Sequence, residues 1–162
     1  MSEIICFYNP NEENGCLNNW YPSHFTVRGV AFSSMEQYIM HRKARCFNDE
    51  EVVTRILEID DVVGEIKRLG RLVANYNEHI WSGMRQIEVY EGLVAKFEQN
   101  PDLCAQLDET GNAMLAERAV KDRIWGIGLS MKDPARLDPV LWRRQNLLGY
   151  ALMLARKKIC RT

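Results

Sequence analysis

The sequence contains no pair of closely spaced cysteines and none of the short motifs that mark the commonest hydrolases and nucleotide-binding proteins. Its five cysteines are odd in number and widely scattered, which argues against a disulfide framework and a structural zinc site. The three histidines lack mutual metal-ligand spacing, so we expect no metal. The G-x-S-x-G, H-E-x-x-H and G-x-x-x-x-G-K-[ST] patterns are all absent. A serine hydrolase, a zinc protease and a P-loop enzyme therefore lose their main support.

The chain also lacks an excess of charge of either sign and any long apolar run. It carries 21 basic and 22 acidic residues, so generic binding to duplex nucleic acid is disfavoured. No apolar stretch approaches the ~20 residues that are needed to cross a bilayer. The N-terminus shows no basic segment followed by an apolar one, so no signal peptide is expected. Scattered thiols suit a reducing compartment, and we expect a cytoplasmic protein that does not engage a membrane.

The patterns that are present predict one mainly helical domain over residues 1–162. An apolar run from Ile4 to Tyr8 predicts a strand, and the segments around Arg28-Gly29 predict a small hairpin. A further short strand is predicted over residues 114–116. Helices are predicted over residues 34–44, 49–57, 62–69, 78–99 and 102–107, and after Asn146. The predicted fold class is mainly α (α+β): a single-domain helical bundle with a few short strands near the N-terminus.

The clearest helical pattern runs from about Glu78 to Gln99. The apolar residues that recur at helical spacing are predicted to form its buried face: Ile80, Trp81, Met84, Ile87, Leu93, Val94 and Phe97. Gly70 is interpreted as the stop signal of the helix before it. Asn146 is predicted to cap the last helix.

Glu36 lies in the first turn of the helix that follows the hairpin, and two interpretations of it stay open. Ser33-x-x-Glu36 fits a capping box, in which the carboxylate reaches back to the Ser33 amide. In the functional interpretation, the helix dipole stabilises the anion. Burial beside Tyr38 or Trp125 would instead raise the pKa. The balance between these effects decides whether Glu36 acts as a base or as an acid.

Asp122 and Trp125 occur together much later in the chain. A solvated turn aspartate and a core tryptophan are the structural alternatives for these two residues. Cleavage of a glycosidic bond uses two carboxylates, and Glu36 and Asp122 would divide those roles if their segments meet. Trp125 would then stack on a planar base, while Gly126 and Gly128 would allow close approach to the backbone.

Four basic residues on predicted helices are candidates for holding a phosphate: Lys43, Lys67, Arg71 and Arg85. Each taken alone fits a solvated surface charge better, because that is where such residues normally lie. Lys67 and Arg71 also lie near a helix C-terminus, where positive charge complements the helix dipole.

These residues together resemble the NADAR family of YbiA-like N-glycosidases from about Phe7 to Arg156. The matching segments are Asn18-Asn19-Trp20-Tyr21-Pro22, Phe25, Ser34-x-Glu36-x-Tyr38, Lys43-Ala44, Lys67-x-Leu69-Gly70-Arg71, Trp81, Arg85, Lys96-Phe97-x-x-Asn100-Pro101-x-Leu103, Thr110-Gly111, Leu115-x-Glu117, Asp122-x-x-Trp125-Gly126-x-Gly128 and Asn146-x-Leu148-Gly149-x-x-x-Met153-x-x-Arg156. The chain departs from the family at Gln37, where histidine is usual, at Met40-His41-Arg42, and at Ile127, where a polar residue is common. These departures border the expected pocket, so a different substrate is conceivable.

The resemblance implies a mainly helical fold with small β elements, and hydrolysis of N-glycosidic bonds without a metal or an organic cofactor. The implied substrates are ribosylamino-pyrimidine phosphates of riboflavin biosynthesis or, alternatively, ADP-ribose attached to guanine in nucleic acid. By motif position, Glu36, Asp122 and Trp125 are the implied catalytic set. The expected substrate-binding residues are Asn19, Tyr38, Lys43, Lys67, Arg71, Gly126 and Gly128. A non-catalytic module that binds NAD or ADP-ribose is the alternative from another class.

Overall fold

The structure is a computed structural model that describes residues 3–60 and 62–160. The chain forms two compact units. One consists of residues 19–100, and the other of the described parts of residues 1–18 and 101–162. The first unit is therefore continuous in sequence, whereas the second is assembled from two separate segments.

The unit of residues 19–100 opens with a two-stranded antiparallel hairpin. Strand β2 (Pro22–Val27) pairs with β3 (Val30–Ser34). Arg28 and Gly29 both have positive φ, at 51° and 79°, which is the backbone that a two-residue hairpin turn of matching twist requires. The predicted hairpin is confirmed, and it leads directly into the first helix.

Four helices complete this unit: α1 (Met35–Cys46), α2 (Glu50–Leu57), α3 (Val63–Gly70) and α4 (Glu78–Glu98). Helix α1 lies against the other three and against β3. Apolar side chains from α1, α2, α3 and the segment that follows α3 form one buried cluster: Ala44, Val52, Val53, Ile56, Ile66, Leu69 and Val73. Asp49 caps α2 by accepting a hydrogen bond from the Val52 amide at 3.1 Å, at the predicted start of that helix. Helix α1 is therefore the central element of this unit.

The predicted capping box at the start of α1 is wrong by one residue. Ser34, not Ser33, is the N-cap, and its hydroxyl accepts from the Gln37 amide at 3.1 Å. The side-chain oxygen of Gln37 accepts from the Ser33 amide at 2.7 Å, and its nitrogen donates to the Ile56 and Ile59 carbonyls. Gln37 thus ties β3, α1 and the end of α2 together, and it occupies the position in the cap pattern that was predicted for Glu36.

The predicted buried face of α4 is only partly correct. Trp81, Leu93 and Phe97 are buried, but Ile80, Met84 and Ile87 are exposed. Three polar residues occupy the buried face in their place: Arg85, Glu88 and Lys96. The hydrophobic pattern therefore located the helix correctly and misjudged which side of it faces inward.

Gly70 ends α3 as predicted, but for a different physical reason. It remains inside the helix and does not adopt the left-handed conformation of a helix-terminating glycine. A Cβ atom at this position would lie 2.0 Å from the sulfur of Met40. The absence of a side chain therefore lets α3 pack closely against α1.

The second unit contains a parallel strand pair and two helices. Strand β1 (Ile4–Phe7) pairs with β4 (Met114–Glu117), which confirms both predicted strands. The helices are α5 (Pro101–Glu109) and α6 (Leu147–Ile159). Short 3-10 turns cover Gly15–Leu17, Pro134–Leu137 and Pro139–Leu141. The observed architecture confirms a mainly α fold with a few short strands.

Asn146 occupies the N-cap position of α6, as predicted, without making the expected capping bond. Its backbone is left-handed, with φ of 50°. The side-chain oxygen accepts from the Glu117 amide at 3.1 Å, and the side-chain nitrogen donates to the Leu115 carbonyl at 2.9 Å. Asn146 therefore satisfies one edge of β4 and fixes the start of α6 against it.

Among residues 3–60 and 62–160, no helix is both long enough and apolar enough to cross a membrane.

Candidate active site

Glu36 and Asn19 lie together at the start of α1. The Glu36 amide donates to the Asn19 carbonyl at 2.9 Å, and the Glu36 side chain is buried, since the residue is only 6% exposed. The side-chain oxygen of Asn19 is also buried and has no hydrogen-bond partner among the described residues. Buried polar atoms are normally satisfied, so the unpaired side-chain oxygen of Asn19 marks a place where a ligand or water can bind.

Lys43 lies two helical turns after Glu36 on the same face of α1. Its ammonium donates to the Gly70 carbonyl at 2.7 Å and lies 4.3 Å from the centre of the Tyr76 ring. Burial lowers the pKa of Lys43, and the nearby charge of Arg71 lowers it further. The carboxylates of Glu78 and Glu36 act in the opposite direction. Lys43 is therefore within electrostatic reach of both carboxylates.

A second buried cation, Arg85, adjoins Glu78. One guanidinium nitrogen of Arg85 donates to Glu78 at 3.0 Å, while its Nε is buried without a partner among the described residues. Glu78 also accepts from the Tyr76 hydroxyl. Burial, followed by this hydrogen bond, raises the pKa of Tyr76 to about 12. The contacts link Lys43 to Arg85 through Tyr76 and Glu78.

Lys67 and Trp20 form another contact in this unit. The Lys67 ammonium lies 5.6 Å from the centre of the Trp20 ring, and Trp20 is 39% exposed. Because Trp20 directly follows Asn19, its indole is tethered to the start of α1. An accessible indole can stack on a planar base. Trp20 was not among the predicted site residues, although it lies in the Asn18–Pro22 segment of the family pattern.

Arg71, predicted to hold phosphate, is the C-cap residue of α3 and is exposed. It is close enough to Lys43 to lower the pKa of that lysine. Two like charges near one another are relieved when an anion binds between them.

Tyr38 packs into an aromatic cluster on the side of α1 roughly opposite Glu36. Its side chain is fully buried, and its ring packs against Phe25 and Phe32 at centroid distances of 5.9 and 5.2 Å. Its hydroxyl donates to Glu88 at 3.1 Å. Burial, reinforced by the charge of Glu88, raises the pKa of Tyr38. We therefore place Tyr38 in the core of the 19–100 unit rather than in the substrate-binding set.

Asp122 shapes a turn in the other unit. Its Oδ1 accepts hydrogen bonds from the amides of Ile124 at 2.8 Å and Trp125 at 2.9 Å. The turn role foreseen as the structural alternative is therefore present. These two bonds fix the carboxylate group and leave Oδ2 without a hydrogen bond among the described residues. Trp125 is partly exposed, so it is not a fully buried core residue.

Gly126 and Gly128 allow close approach of protein atoms from their own unit. A Cβ on Gly126 would lie 2.8 Å from the backbone nitrogen of Ala119. Gly128 has φ of 74°, and a Cβ there would lie 2.6 Å from the Arg144 side chain. Both glycines are buried, so their contacts explain the sequence pattern through packing.

The predicted site residues thus fall into two sets. Residues 19–100 hold Asn19, Glu36, Tyr38, Lys43, Lys67 and Arg71, whereas the other unit holds Asp122, Trp125, Gly126 and Gly128. Within the described residues, no group of three or more histidine, cysteine, aspartate or glutamate side chains is arranged to hold a metal ion. The first set, with the neighbouring Trp20, offers a carboxylate, cations and an indole, and the second set offers a carboxylate and an indole.

Comparison with known proteins identifies the family. The NADAR domain model matches residues 6–160, so the chain belongs to the NADAR domain family. A protein of Acanthamoeba polyphaga mimivirus named as an N-glycosidase is 39% identical over 164 residues, which cover 96% of each chain. A Vibrio vulnificus protein named for riboflavin biosynthesis is 33% identical over 160 residues, which are 98% of this chain and 39% of the relative.

A solved structure supports the same assignment. The NMR structure of the Escherichia coli protein YbiA superimposes with a TM-score of 0.78 at 27% identity, covering 97% of this chain and 84% of that chain. The corresponding Escherichia coli protein is named N-glycosidase YbiA. The predicted family and fold class are both confirmed by these matches.

Proposed function

We propose that this protein hydrolyses the N-glycosidic bond of a phosphorylated N-riboside, with ribosylamino-pyrimidine phosphates as the first substrate class to test. The observation that carries the proposal is the buried Glu36 carboxylate at the start of α1, with Lys43 on the same face of the helix. The riboflavin-biosynthesis name of the Vibrio vulnificus relative supports the choice of substrate.

The enzyme class is N-glycosidase. This predicted class is confirmed by relatives with that name that match 96% of this chain. The identity of the base and the sugar phosphate belongs to the proposal.

The reaction breaks the bond between C1′ of ribose and a nitrogen of the base. The bonding electrons leave with the base, and positive charge develops on the sugar as an oxocarbenium ion. A water molecule then adds to C1′ and gives up a proton. A helix N-terminus favours negative charge, and the Lys43 ammonium has the same effect on Glu36. We therefore assign Glu36 the anionic role, in which it stabilises the oxocarbenium ion and accepts the proton from water.

Asp122 and Trp125 complete the proposed catalytic set by their positions in the family motif. The two backbone amides that hold Oδ1 of Asp122 fix the direction of its second oxygen. An ordered carboxyl group of this kind suits the positioning of a substrate or the protonation of a departing base. The indole of Trp125 is proposed to stack on the base.

The remaining cations are proposed to bind the phosphate of the substrate. Lys43 and Arg71 already influence each other, and an anion between them would relieve their repulsion. Lys67 lies beside the accessible Trp20 ring, which offers a further stacking surface. The unpaired oxygen of Asn19 is proposed to accept a hydrogen bond from the sugar or the base.

A sugar-release assay on the purified protein tests the proposal. Ribosylamino-pyrimidine phosphates, ADP-ribosylated guanosine and ADP-ribosylated DNA are offered side by side to wild type and to Glu36→Gln. Glu98→Gln is the matched control, because Glu98 is exposed near the end of α4. Ribose 5-phosphate released by wild type and the control, but not by Glu36→Gln, supports the proposal.

The other outcomes of this assay would each favour one of the two alternative functions. Release of ADP-ribose instead of ribose 5-phosphate would favour removal of ADP-ribose from guanine. Release of no sugar by folded protein would favour the non-catalytic binding module, which would still show saturable stabilisation by NAD or ADP-ribose. A ligand present at 100 times its Kd stabilises a folded protein by about 2.7 kcal/mol, so a thermal shift would detect it.

A further inference from the structure

Helix α1 has a second polar face, which the proposed reaction does not use. Tyr38, His41 and Arg45 recur at spacings of three and four residues, so they share one side of the helix. At 100° per residue, that side is roughly opposite Glu36. A cavity of about 150 Å³ lies between this side of α1 and the β2–β3 hairpin, and its polar lining is formed by Arg28, Tyr38, His41, Arg42 and Arg45.

The buried ring nitrogens of His41 are the feature of this cavity that the fold does not explain. It is only 2% exposed, and neither ring nitrogen has a hydrogen-bond partner among the described residues. Its ring packs edge-on against Phe32 at 5.1 Å, which accounts for the carbon face but not for the nitrogens. A neutral imidazole carries one donor and one acceptor, and each buried group left unpaired lowers stability. A bound partner would remove that cost.

Three arginines can supply the rest of a binding site. Arg28 donates one nitrogen to Glu91 at 2.7 Å, and Arg45 donates one nitrogen to both oxygens of Glu50. A guanidinium has five N–H donors, so Arg28 and Arg45 retain several for a further acceptor. Arg42 is more fully committed, because it donates Nε and one terminal nitrogen to Glu88.

The unused N–H donors around the cavity favour a ligand that accepts hydrogen bonds. Burial, reinforced by the charges of Arg42 and Arg45 and opposed by that of Glu88, lowers the pKa of His41 to about 4. The imidazole is therefore neutral at pH 7 and experiences the positive charge of its neighbours. Because Glu50, Glu88 and Glu91 balance the three arginines, the attraction for an anion arises from unused N–H donors rather than from net charge.

We propose that this cavity binds a small oxyanion of the phosphate class, held by Arg28, Arg45 and the His41 imidazole. A cavity of about 150 Å³ holds a molecule the size of benzene. A single phosphate group fits this volume, whereas a whole nucleotide does not. The oxyanion is either free phosphate or the phosphate end of a larger ester that projects between the exposed side chains of Arg28 and Arg45.

Imidazole NMR of the ¹⁵N-labelled wild-type protein tests the site directly. Phosphate is titrated at constant ionic strength, with chloride as the replaced anion. The ring-nitrogen signals of His41 are expected to shift and saturate. His24 and His79 are exposed and outside the cavity, so they serve as internal references. Unchanged His41 signals, or an equal response to chloride, would overturn the proposal.

Two variants locate the site, and a third is their control. Arg28→Gln and Arg45→Gln are each expected to raise the Kd for phosphate about tenfold, since a hydrogen bond to a charged group is lost. Arg55→Gln is matched to them, because Arg55 is an equally exposed arginine on α2 outside the cavity. Phosphate affinity in either cavity variant equal to that of Arg55→Gln would refute the assignment.

A second ligand separates the two sources of the oxyanion. A Kd for ribose 5-phosphate below that for inorganic phosphate, measured on the His41 signals, identifies an ester as the ligand; the reverse order identifies free phosphate. Sugar release by Arg45→Gln is expected to match wild type when no phosphate is added. Loss of that activity would contradict a site separate from the Glu36 face, whereas failure of the phosphate titration would leave the proposed glycosidase unaffected.

Discussion

Two buried carboxylates lie on roughly opposite sides of α1, and their surroundings differ: Glu36 belongs to α1 itself, and Glu88 belongs to α4. Glu36 lies in the first turn of the helix, with its amide bound to Asn19 and Lys43 on its own face. Glu88 approaches the other side from α4, where Arg42 binds it through two hydrogen bonds of 2.9 and 3.0 Å and Tyr38 through a third. Burial alone does not separate the two residues. The strong ion pair with Arg42 identifies Glu88 as a structural carboxylate, whereas Glu36 remains the candidate catalytic one.

The acid–base behaviour of Glu88 supports this distinction. Burial alone would raise the pKa of Glu88, but the hydrogen bonds and charge of Arg42, with help from Tyr38, outweigh it and hold that pKa below its ordinary value. A carboxylate stabilised in this way contributes to folding above its ordinary pKa of about 4.3. The contribution is lost as the pH falls through the lower pKa of the folded state. Glu88 and Arg42 therefore form a structural ion pair.

The largest expected effect is on catalysis, and it comes from replacing the Glu36 carboxylate. Glu36→Gln is expected to lower kcat by roughly 10²–10⁴-fold, because the neutral amide can neither accept a proton nor stabilise positive charge. The free energy of unfolding is expected to change by less than about 1 kcal/mol, since the Ser34 hydroxyl is the N-cap of the helix. Steady-state sugar release and urea unfolding measure the two quantities. Near-normal kcat in the folded variant would remove Glu36 from the catalytic set.

The opposite result is expected for the carboxylate on the other side. Glu88→Gln leaves Arg42 buried without its counter-charge, and the free energy of unfolding is expected to fall by about 3 kcal/mol. Urea unfolding at pH 7 measures this loss, and kcat of the folded fraction is expected to remain near that of wild type. A large fall in kcat without a loss of stability would reverse the roles assigned to the two carboxylates.

The pH dependence of stability sharpens the comparison further. Because the pKa of His41 is lowered to about 4, the unfolded chain binds a proton near pH 6.5 that the folded chain does not. The free energy of unfolding is therefore expected to fall as the pH drops from about 6.5 towards 4, by up to about 1.4 kcal/mol per pH unit. His41→Gln should reduce this slope, whereas His79→Gln at an exposed position should not. Equal slopes in both variants would contradict the prediction.

The smallest effect is expected from removal of one hydroxyl group. Tyr38→Phe deletes the hydrogen bond to Glu88 and should lower the free energy of unfolding by about 1 kcal/mol. KM should remain unchanged, because Tyr38 is buried in the core. A raised KM with unaltered stability would restore Tyr38 to the substrate-binding set.

Local elements of the fold were readable from the sequence where a few adjacent residues determine them. Arg28-Gly29 predicted the hairpin turn, and Asp49 predicted the start of α2, because turn and cap chemistry acts over two or three residues. The cap of α1 was misplaced by one residue, since β3 extends through Ser34 before the helix begins. Adjacent serines offer equivalent caps, and only the strand pairing selects between them.

The buried face of α4 could not be read from hydrophobic spacing. Ile80 and Ile87 are exposed, while Glu88 is buried because Arg42 and Tyr38 satisfy it from another helix. Such long-range pairing leaves no local pattern in the sequence. The same limit applies to the candidate site, where motif positions indicated Lys43, but its contacts with Tyr76 and Gly70 depend on tertiary packing.

The parallel pairing of β1 with β4 has a consequence for synthesis of the chain. Ile4 pairs with Met114, so the first strand leaves the ribosome long before its partner exists. Residues 19–100 form a continuous unit and are complete by then, with Glu36 and its neighbours already in place. Because domains fold as units during synthesis, the helix that carries the candidate catalytic carboxylate can assemble first. The early strand stays unpaired until β4 has been made, and an unpaired strand edge is open to pairing with other chains.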